Sequence, residues 1–260
     1  MHHEKLIDDS DLARINSWYN EYINNAKPLE YIIWHVAFLG VQFTVNQHTL
    51  IPRPETEYML LAIKEWLTTC KKQPQWLYDI WTWCWVLGLS VLYHNPNIFT
   101  DALMSDISPD ALDVAQSNKE LVLWDTHATN ISFFIADLLA HESFITHWKW
   151  AAKAEAGVLI VANLPYIPND LFDENTDRSV HDHEPKIAFV WWDDWLDWYR
   201  IMFDQLLRMY QQSPVHHTQF LEMMTRQIWV LEQEYWAFYH FEAVKTFHFN
   251  IKIVKVTRKK

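Results

Sequence analysis

The 260-residue sequence predicts an α/β fold in which a mostly parallel open sheet ends in an antiparallel strand pair. Three observations predict it. Four apolar runs of strand length, Leu77 to Ile80, Thr100 to Asp106, Ile131 to Asp137 and Gly157 to Asn163, recur along the chain and close on or beside an acidic or amide residue. Helix-length stretches at about 86 to 94 and 109 to 123 separate the first three, and strands alternating with helices imply parallel βαβ units. Finally, Glu242 to Phe247 and Asn250 to Val256 lie only two residues apart. That gap is too short for a crossover connection, so the pair is antiparallel.

Ahead of the sheet, Leu12, Ile15, Tyr19, Tyr22 and Ile23 recur at helical spacing behind acidic and serine residues suited to an N-cap, which predicts a helix over about 10 to 25. Val36 to Ile51 turns extended, with turn signals at Gly40 and at Asn46 to His48, and reads as a hairpin. It runs into Pro52-Arg53-Pro54, a segment that cannot be helix interior, and a helix follows at about 56 to 70. The expected division is residues 1–52, a short helix plus hairpin, and residues 53–260, the sheet domain.

A formal net charge of -12 argues against a protein that tracks a nucleic-acid backbone, because that binding relies on Lys and Arg neutralising phosphates. Cys70 and Cys84 form no disulfide framework, which fits a reducing cytoplasm. The acidic beginning does not resemble a signal peptide, and no apolar run is long enough to span a membrane, so neither export nor insertion is expected. His181, Asp182 and His183 lack the spacing of zinc motifs, so no metal site is expected, and His2-His3 and His216-His217 read as solvated.

Ligands of an open parallel sheet bind beyond the carboxyl ends of its strands. Asp79, Asp106, Asp137 and Asn163 stand at those ends. A carboxylate after a strand often only caps the next helix, but four in register point to a site. An acid placed like Asp106 can accept both hydroxyls of a ribose. In Asn163-Leu164-Pro165-Tyr166, the Asn oxygen and a backbone carbonyl fixed by the proline can together accept both hydrogens of an NH2 group. Such a clamp holds the nitrogen in position for attack on an electrophile.

The chain resembles the bacterial release factor glutamine methyltransferases. The resemblance rests on Pro28-Leu29-Glu30-Tyr31-Ile32, Leu50-Ile51-Pro52-Arg53-Pro54-Glu55-Thr56-Glu57, the run opened by Asp106, Asn163 to Tyr166 with Ile167-Pro168, and His183-Glu184-Pro185 with the stretch to Tyr199. It implies a Rossmann-like class I methyltransferase sheet, S-adenosyl-L-methionine as methyl donor, and a class 1 peptide chain release factor as partner, methylated on the glutamine of its Gly-Gly-Gln loop. It further implies that Trp81, Thr82, Trp83, Cys84 and Trp85 form the cofactor loop beside Asp79, that Asp106 is the ribose acid, and that Asp137 and Leu138 flank the adenine. Asn163, Leu164, Pro165 and Tyr166 would hold the substrate amide, with Asn163, Pro165 and Tyr166 as the catalytic group and Asn163 also bordering the cofactor. Leu164 stands where the family has a proline, a change of small consequence because the clamp uses Asn163 and the carbonyl of Pro165. The region before Pro28 is shorter than the family's substrate-recognition domain. A nucleic-acid amino-methyltransferase and a non-catalytic binding module are the other function classes open to the sequence, and ribosomal protein glutamine is a further substrate within the first class.

One departure stands out. The chain has 3 glycines and 16 tryptophans. Where the family reads Gly-x-Gly-x-Gly, Trp81, Trp83 and Trp85 stand, and Trp34, Trp124, Trp191, Trp192 and Trp195 also occupy positions at which relatives have glycine. Only glycine permits the tight turn and the close backbone approach that such a loop needs, and three indoles there would fill the site. A single rule accounts for the pattern: a gene in which UGA specifies glycine, written out with UGA as tryptophan. The other possibility is that the tryptophans are real and the chain is a methyltransferase fold without cofactor binding.

Overall fold

The computed structural model describes residues 8–81, 83, 85–124, 129–165, 167, 172–173, 176–190, 194–244 and 251–259. Helix α1 (Asp9–Asn24) starts behind Asp8, whose side chain accepts from Asp11 N, and buries none of its residues. After α2 (Leu29–Ile33) come β1 (His35–Phe38) and β2 (Val41–Thr44), which pair antiparallel through the expected turn at Gly40. Gly40 sits at φ +81, open to glycine at no steric cost. The hairpin is fastened to the rest of the chain by Asn118, which accepts from Thr44 N at 2.7 Å and donates to Thr44 O at 2.9 Å.

Helix α3 (Pro54–Thr69) opens with Pro54 in its first turn, where a missing N–H costs nothing. The α/β run then follows: β3 (Pro74–Ile80), α4 (Val86–His94), β4 (Asp101–Asp106), α5 (Pro109–Leu123), β5 (Asn130–Ile135), α6 (Glu142–Lys153) and β6 (Gly157–Ala162). The short α7 (Arg178–His183) leads to α8 (Asp197–Gln212), β7 (His217–Met224), α9 (Thr225–Glu234), β8 (Tyr239–Val244) and β9 (Ile251–Arg258). The sheet order is β5-β4-β3-β6-β7-β9-β8, parallel from β5 through β7 and antiparallel at β9 and β8.

Strand alternation divides the core between two faces. Tyr78, Ile80, Val158, Ile160 and Ala162 pack with Trp148 of α6 and Tyr199, Phe203 and Leu206 of α8. Leu77, Leu159 and Val161 pack on the other face with Met59 and Ile63 of α3, Leu89 of α4, and Phe38 and Phe43 of the hairpin. The expected strands and the helices at 86 to 94 and 109 to 123 are all present. The antiparallel pair forms as expected, with Tyr239 opposite Arg258 and Val244 opposite Ile253, while residues 245–250 lie outside the described ones.

The sheet also holds a strand that the sequence pattern did not show: β7 lies between β6 and the antiparallel pair, parallel to β6 and antiparallel to β9. One sequence expectation is corrected. His217 is not solvated. It is fully buried in β7, ringed by Trp148, Tyr210 and Tyr239, with Nδ1 3.0 Å from Val215 O. Burial pushes its pKa down to about 4, so it stays neutral near pH 7.

Candidate active site at the carboxyl edge of the sheet

The chain runs outward from β3 to β4 and β5, then returns to the other side of β3 as β6. This reversal leaves a crevice between the carboxyl ends of β3 and β6, the place where open α/β sheets bind ligands. In register, Ile80 lies opposite both Ser105 and Ala162, so Trp81, Asp106 and Asn163 come level at that edge.

Asp79 is fully buried, and its Oδ2 accepts from Gly88 N in the first turns of α4 at 2.7 Å. Gly88 has to be glycine, since a Cβ there would overlap the carboxylate and lie 2.9 Å from Asp79 Cγ. Burial holds the Asp79 pKa well above the usual carboxylate range, and the neighbouring Asp106 adds to the shift. Asp106 is buried too. Its Oδ2 accepts from Trp83 N at 3.0 Å and its Oδ1 from Ser108 N at 2.9 Å. Burial raises its pKa to about 6, against the opposing pull of those backbone donors.

Asn163 follows β6 at once, and its Nδ2 donates to Thr56 Oγ1 at 3.4 Å. The Thr56 hydroxyl in turn donates to Oε2 of the buried Glu222 at 2.9 Å. Arg53 pairs with Glu184 at 2.5 Å, and Glu184 also accepts from Ile51 N at 3.0 Å. The structure thus joins the Pro52 to Glu57 segment to the His183-Glu184-Pro185 segment. Neither Glu184 nor Glu222 had an assigned role in the sequence. Glu222 sits in the strand that local pattern did not reveal, and only its charge at a buried position marks it.

Arg53, Thr56, Trp83 and Asn163 line one cavity together with Leu50, Pro52, Val86 and Leu87. The segment expected to be the cofactor loop and the segment expected to be the amide clamp therefore meet there. Leu164 and Pro165 are buried next to Asn163, while Asp137 is exposed and Leu138 is fully buried in the core at φ +53, both apart from this cavity. Thr82, Cys84, Tyr166, Trp191 and Trp192 lie outside the described residues. Among the described residues no cluster of three or more His, Cys, Asp or Glu is placed to hold a metal, and no helix is long and apolar enough to cross a membrane.

The cavity measures only about 30 Å³. A pocket for a drug-sized ligand takes roughly 300–1,000 Å³. Indole rings pack beside it. Trp81 and Trp83 are buried with ring centroids 6.0 Å apart, and Trp81 meets Trp198 edge-on at 4.2 Å. Trp85 is buried on the opposite face of the sheet, its ring 4.7 Å from that of Phe133. The residues present in this loop therefore do not fit a nucleoside-sized cofactor.

The fold, with its topological switch and antiparallel closing strands, is that of the class I methyltransferases. Among solved structures, the N-terminal domain of human METTL16 in complex with SAH matches with a TM-score of 0.53 at 11% identity, covering 96% of this chain and 82% of that one. A human methyltransferase 10 domain containing protein matches with a TM-score of 0.52 at 11% identity, covering 96% and 97%. By sequence the chain is similar to the release factor glutamine methyltransferases. It is 35% identical to that of Clostridium acetobutylicum over 188 residues, 70% of this chain and 59% of the relative. It is 29% identical to that of Bacillus anthracis over 189 residues, 72% and 61%, and 33% identical to that of Bacillus subtilis over 207 residues, 78% and 65%. The chain thus spans about six tenths of the length of the first two relatives. No family model matches it.

Proposed function

We propose that this chain, in a form whose 81–85 loop admits the cofactor, is a cytoplasmic enzyme. It transfers a methyl group from S-adenosyl-L-methionine to the side-chain amide nitrogen of the glutamine in the Gly-Gly-Gln loop of class 1 peptide chain release factors. The observation that carries this reading is the shared cavity of Asn163 and Trp83, in which the clamp after β6 faces the loop after β3.

An amide nitrogen is a poor nucleophile because its lone pair is delocalised into the carbonyl. With Asn163 Nδ2 committed to Thr56, Asn163 Oδ1 is the atom left to accept from a substrate NH2. The Pro165 carbonyl is the second acceptor of the clamp. Two acceptors on one NH2 fix its plane and direct its lone pair, which is an orientation effect rather than acid or base chemistry. The net charge of -12 favours a protein loop over a phosphate backbone as the partner.

The test is methylation by a chain carrying glycine at 81, 83 and 85, with radiolabelled methyl donor and three acceptors: a class 1 release factor, the same factor with its Gly-Gly-Gln glutamine replaced, and duplex DNA. Label on the intact factor alone is the expected result. Label on DNA, or label that survives loss of the glutamine, would overturn it.

A further inference from the structure

We propose that residues 34, 81, 83, 85 and 124, written as tryptophan, are glycine in the working protein, and that the rings at 81 and 83 exclude a nucleoside-sized cofactor. The backbone separates the tryptophans into two groups. Trp34, Trp81, Trp83, Trp85 and Trp124 have φ of 65, 59, 59, 62 and 24°. In Trp18, Trp66, Trp76, Trp148, Trp150, Trp195, Trp198, Trp229 and Trp236 φ is not positive. Positive φ brings Cβ against the backbone, and for a bulky residue it is a genuine outlier, whereas glycine adopts it freely.

The local roles agree. Trp34 ends α2 in the left-handed conformation and Trp124 ends α5, the position after a helix where glycine is most enriched. Trp85 begins α4 in the left-handed conformation. Inside the protein the side chains are poorly accommodated. The indole N–H groups of Trp83 and Trp85 are buried with no acceptor among the described residues, although a buried tryptophan normally finds one. The main chain, by contrast, is anchored at both residues 81 and 83. Residue 81 donates to Ser105 O at 2.8 Å and residue 83 to Asp106 at 3.0 Å, bonds that glycine makes equally well.

Conformation sorts the tryptophans where composition alone could not. One codon, UGA, specifying glycine at these five positions, with tryptophan's ordinary codon at residues such as 66, 76 and 148, produces the pattern.

Three measurements test the proposal. Peptide mass spectrometry of the protein from its native source is expected to give glycine at 34, 81, 83, 85 and 124 and tryptophan at 66, 76 and 148; tryptophan at 81, 83 and 85 would overturn it. In the chain synthesised as written, Trp34→Gly and Trp124→Gly alter exposed side chains and are expected to raise Tm. Trp150→Gly and Trp229→Gly, equally exposed but inside α6 and α9, are expected to lower it. A lower Tm for the first pair would count against the proposal. Third, calorimetry with S-adenosylhomocysteine is expected to show binding by the Trp81→Gly, Trp83→Gly, Trp85→Gly chain and none by the parent. Glycine masses without such binding would keep the residue assignment and show that the rings at 81 and 83 are not what excludes the cofactor. Binding without release factor methylation would sink the proposed substrate alone.

Discussion

Asn163 Nδ2 donates to Thr56 Oγ1 across 107 positions of sequence, and that bond determines which end of the Asn163 amide remains for a ligand. Thr56 can accept from Asn163 because its own hydrogen is given to Glu222. In the chain with glycine at 81, 83 and 85, Thr56→Val is expected to lower kcat on a release factor by about 5- to 10-fold, the worth of one hydrogen bond of about 1 kcal/mol. Affinity for S-adenosylhomocysteine is expected to be unchanged, and Thr56→Ser to restore the rate. Full activity in the valine variant would remove Thr56 from the positioning of Asn163.

Gly88 lets α4 approach the end of β3 closely enough for its N–H to reach Asp79. Gly88→Ala forces Cβ into that carboxylate and is expected to cost about 1–3 kcal/mol, the range for overpacked interiors. Urea denaturation gives the value directly. A loss below a few tenths would show that α4 shifts without resistance.

His217 makes the fold sensitive to acid. Its folded pKa, about 4, lies below the ordinary value of 6.5. Between those values the unfolded chain takes up a proton that the folded one refuses, so stability falls as pH drops from 6.5 to 4. The loss is on the order of 3 kcal/mol. Asp106 titrates in the opposite sense, because its raised folded pKa relieves its burial cost as pH falls through about 6. The difference between parent and His217→Phe therefore isolates the histidine. The variant is expected to gain on the parent steadily from pH 7 to pH 4; a pH-independent gap in Tm would contradict the assignment.

Arg53 is partly exposed, while the Glu184 side chain it meets is buried. Burial raises the Glu184 pKa, and Arg53 is the main influence opposing that rise. Arg53→Ala leaves the carboxylate with Ile51 N as its one donor among the described residues and is expected to cost roughly 2 kcal/mol, typical of a hydrogen bond to a charged group. Arg53→Ala combined with Glu184→Gln is expected to recover part of it. If the double variant is less stable than the single by the full cost of a second lost bond, the two residues act independently.

Much of the architecture was legible in the residues. Apolar runs ending in Asp106 or Asn163 marked strands and their carboxyl edge together, because strand length and the polar stop are local features. The strand β7 was not legible. His217, Gln219 and Glu222 are all buried in it, so neither alternation nor an apolar run announces a strand whose two faces are covered by distant parts of the chain. The same holds for the site. Asn163 and the 81–85 loop were recognisable as candidates, whereas the roles of Thr56, Glu184 and Glu222 depend on partners 107 to 166 residues away.

The sequence by itself determined the alternation of strands and helices, the polar residues at the carboxyl edge, and the oddity of tryptophan where a turn calls for glycine, since each depends on neighbours a few positions apart. Only the tertiary structure decided that Asn163 and Trp83 share one cavity, that His217 is sealed from water, and which tryptophans lie at positive φ. Those properties belong to chain reversal and packing, and local periodicity carries no record of what a residue will meet across the fold.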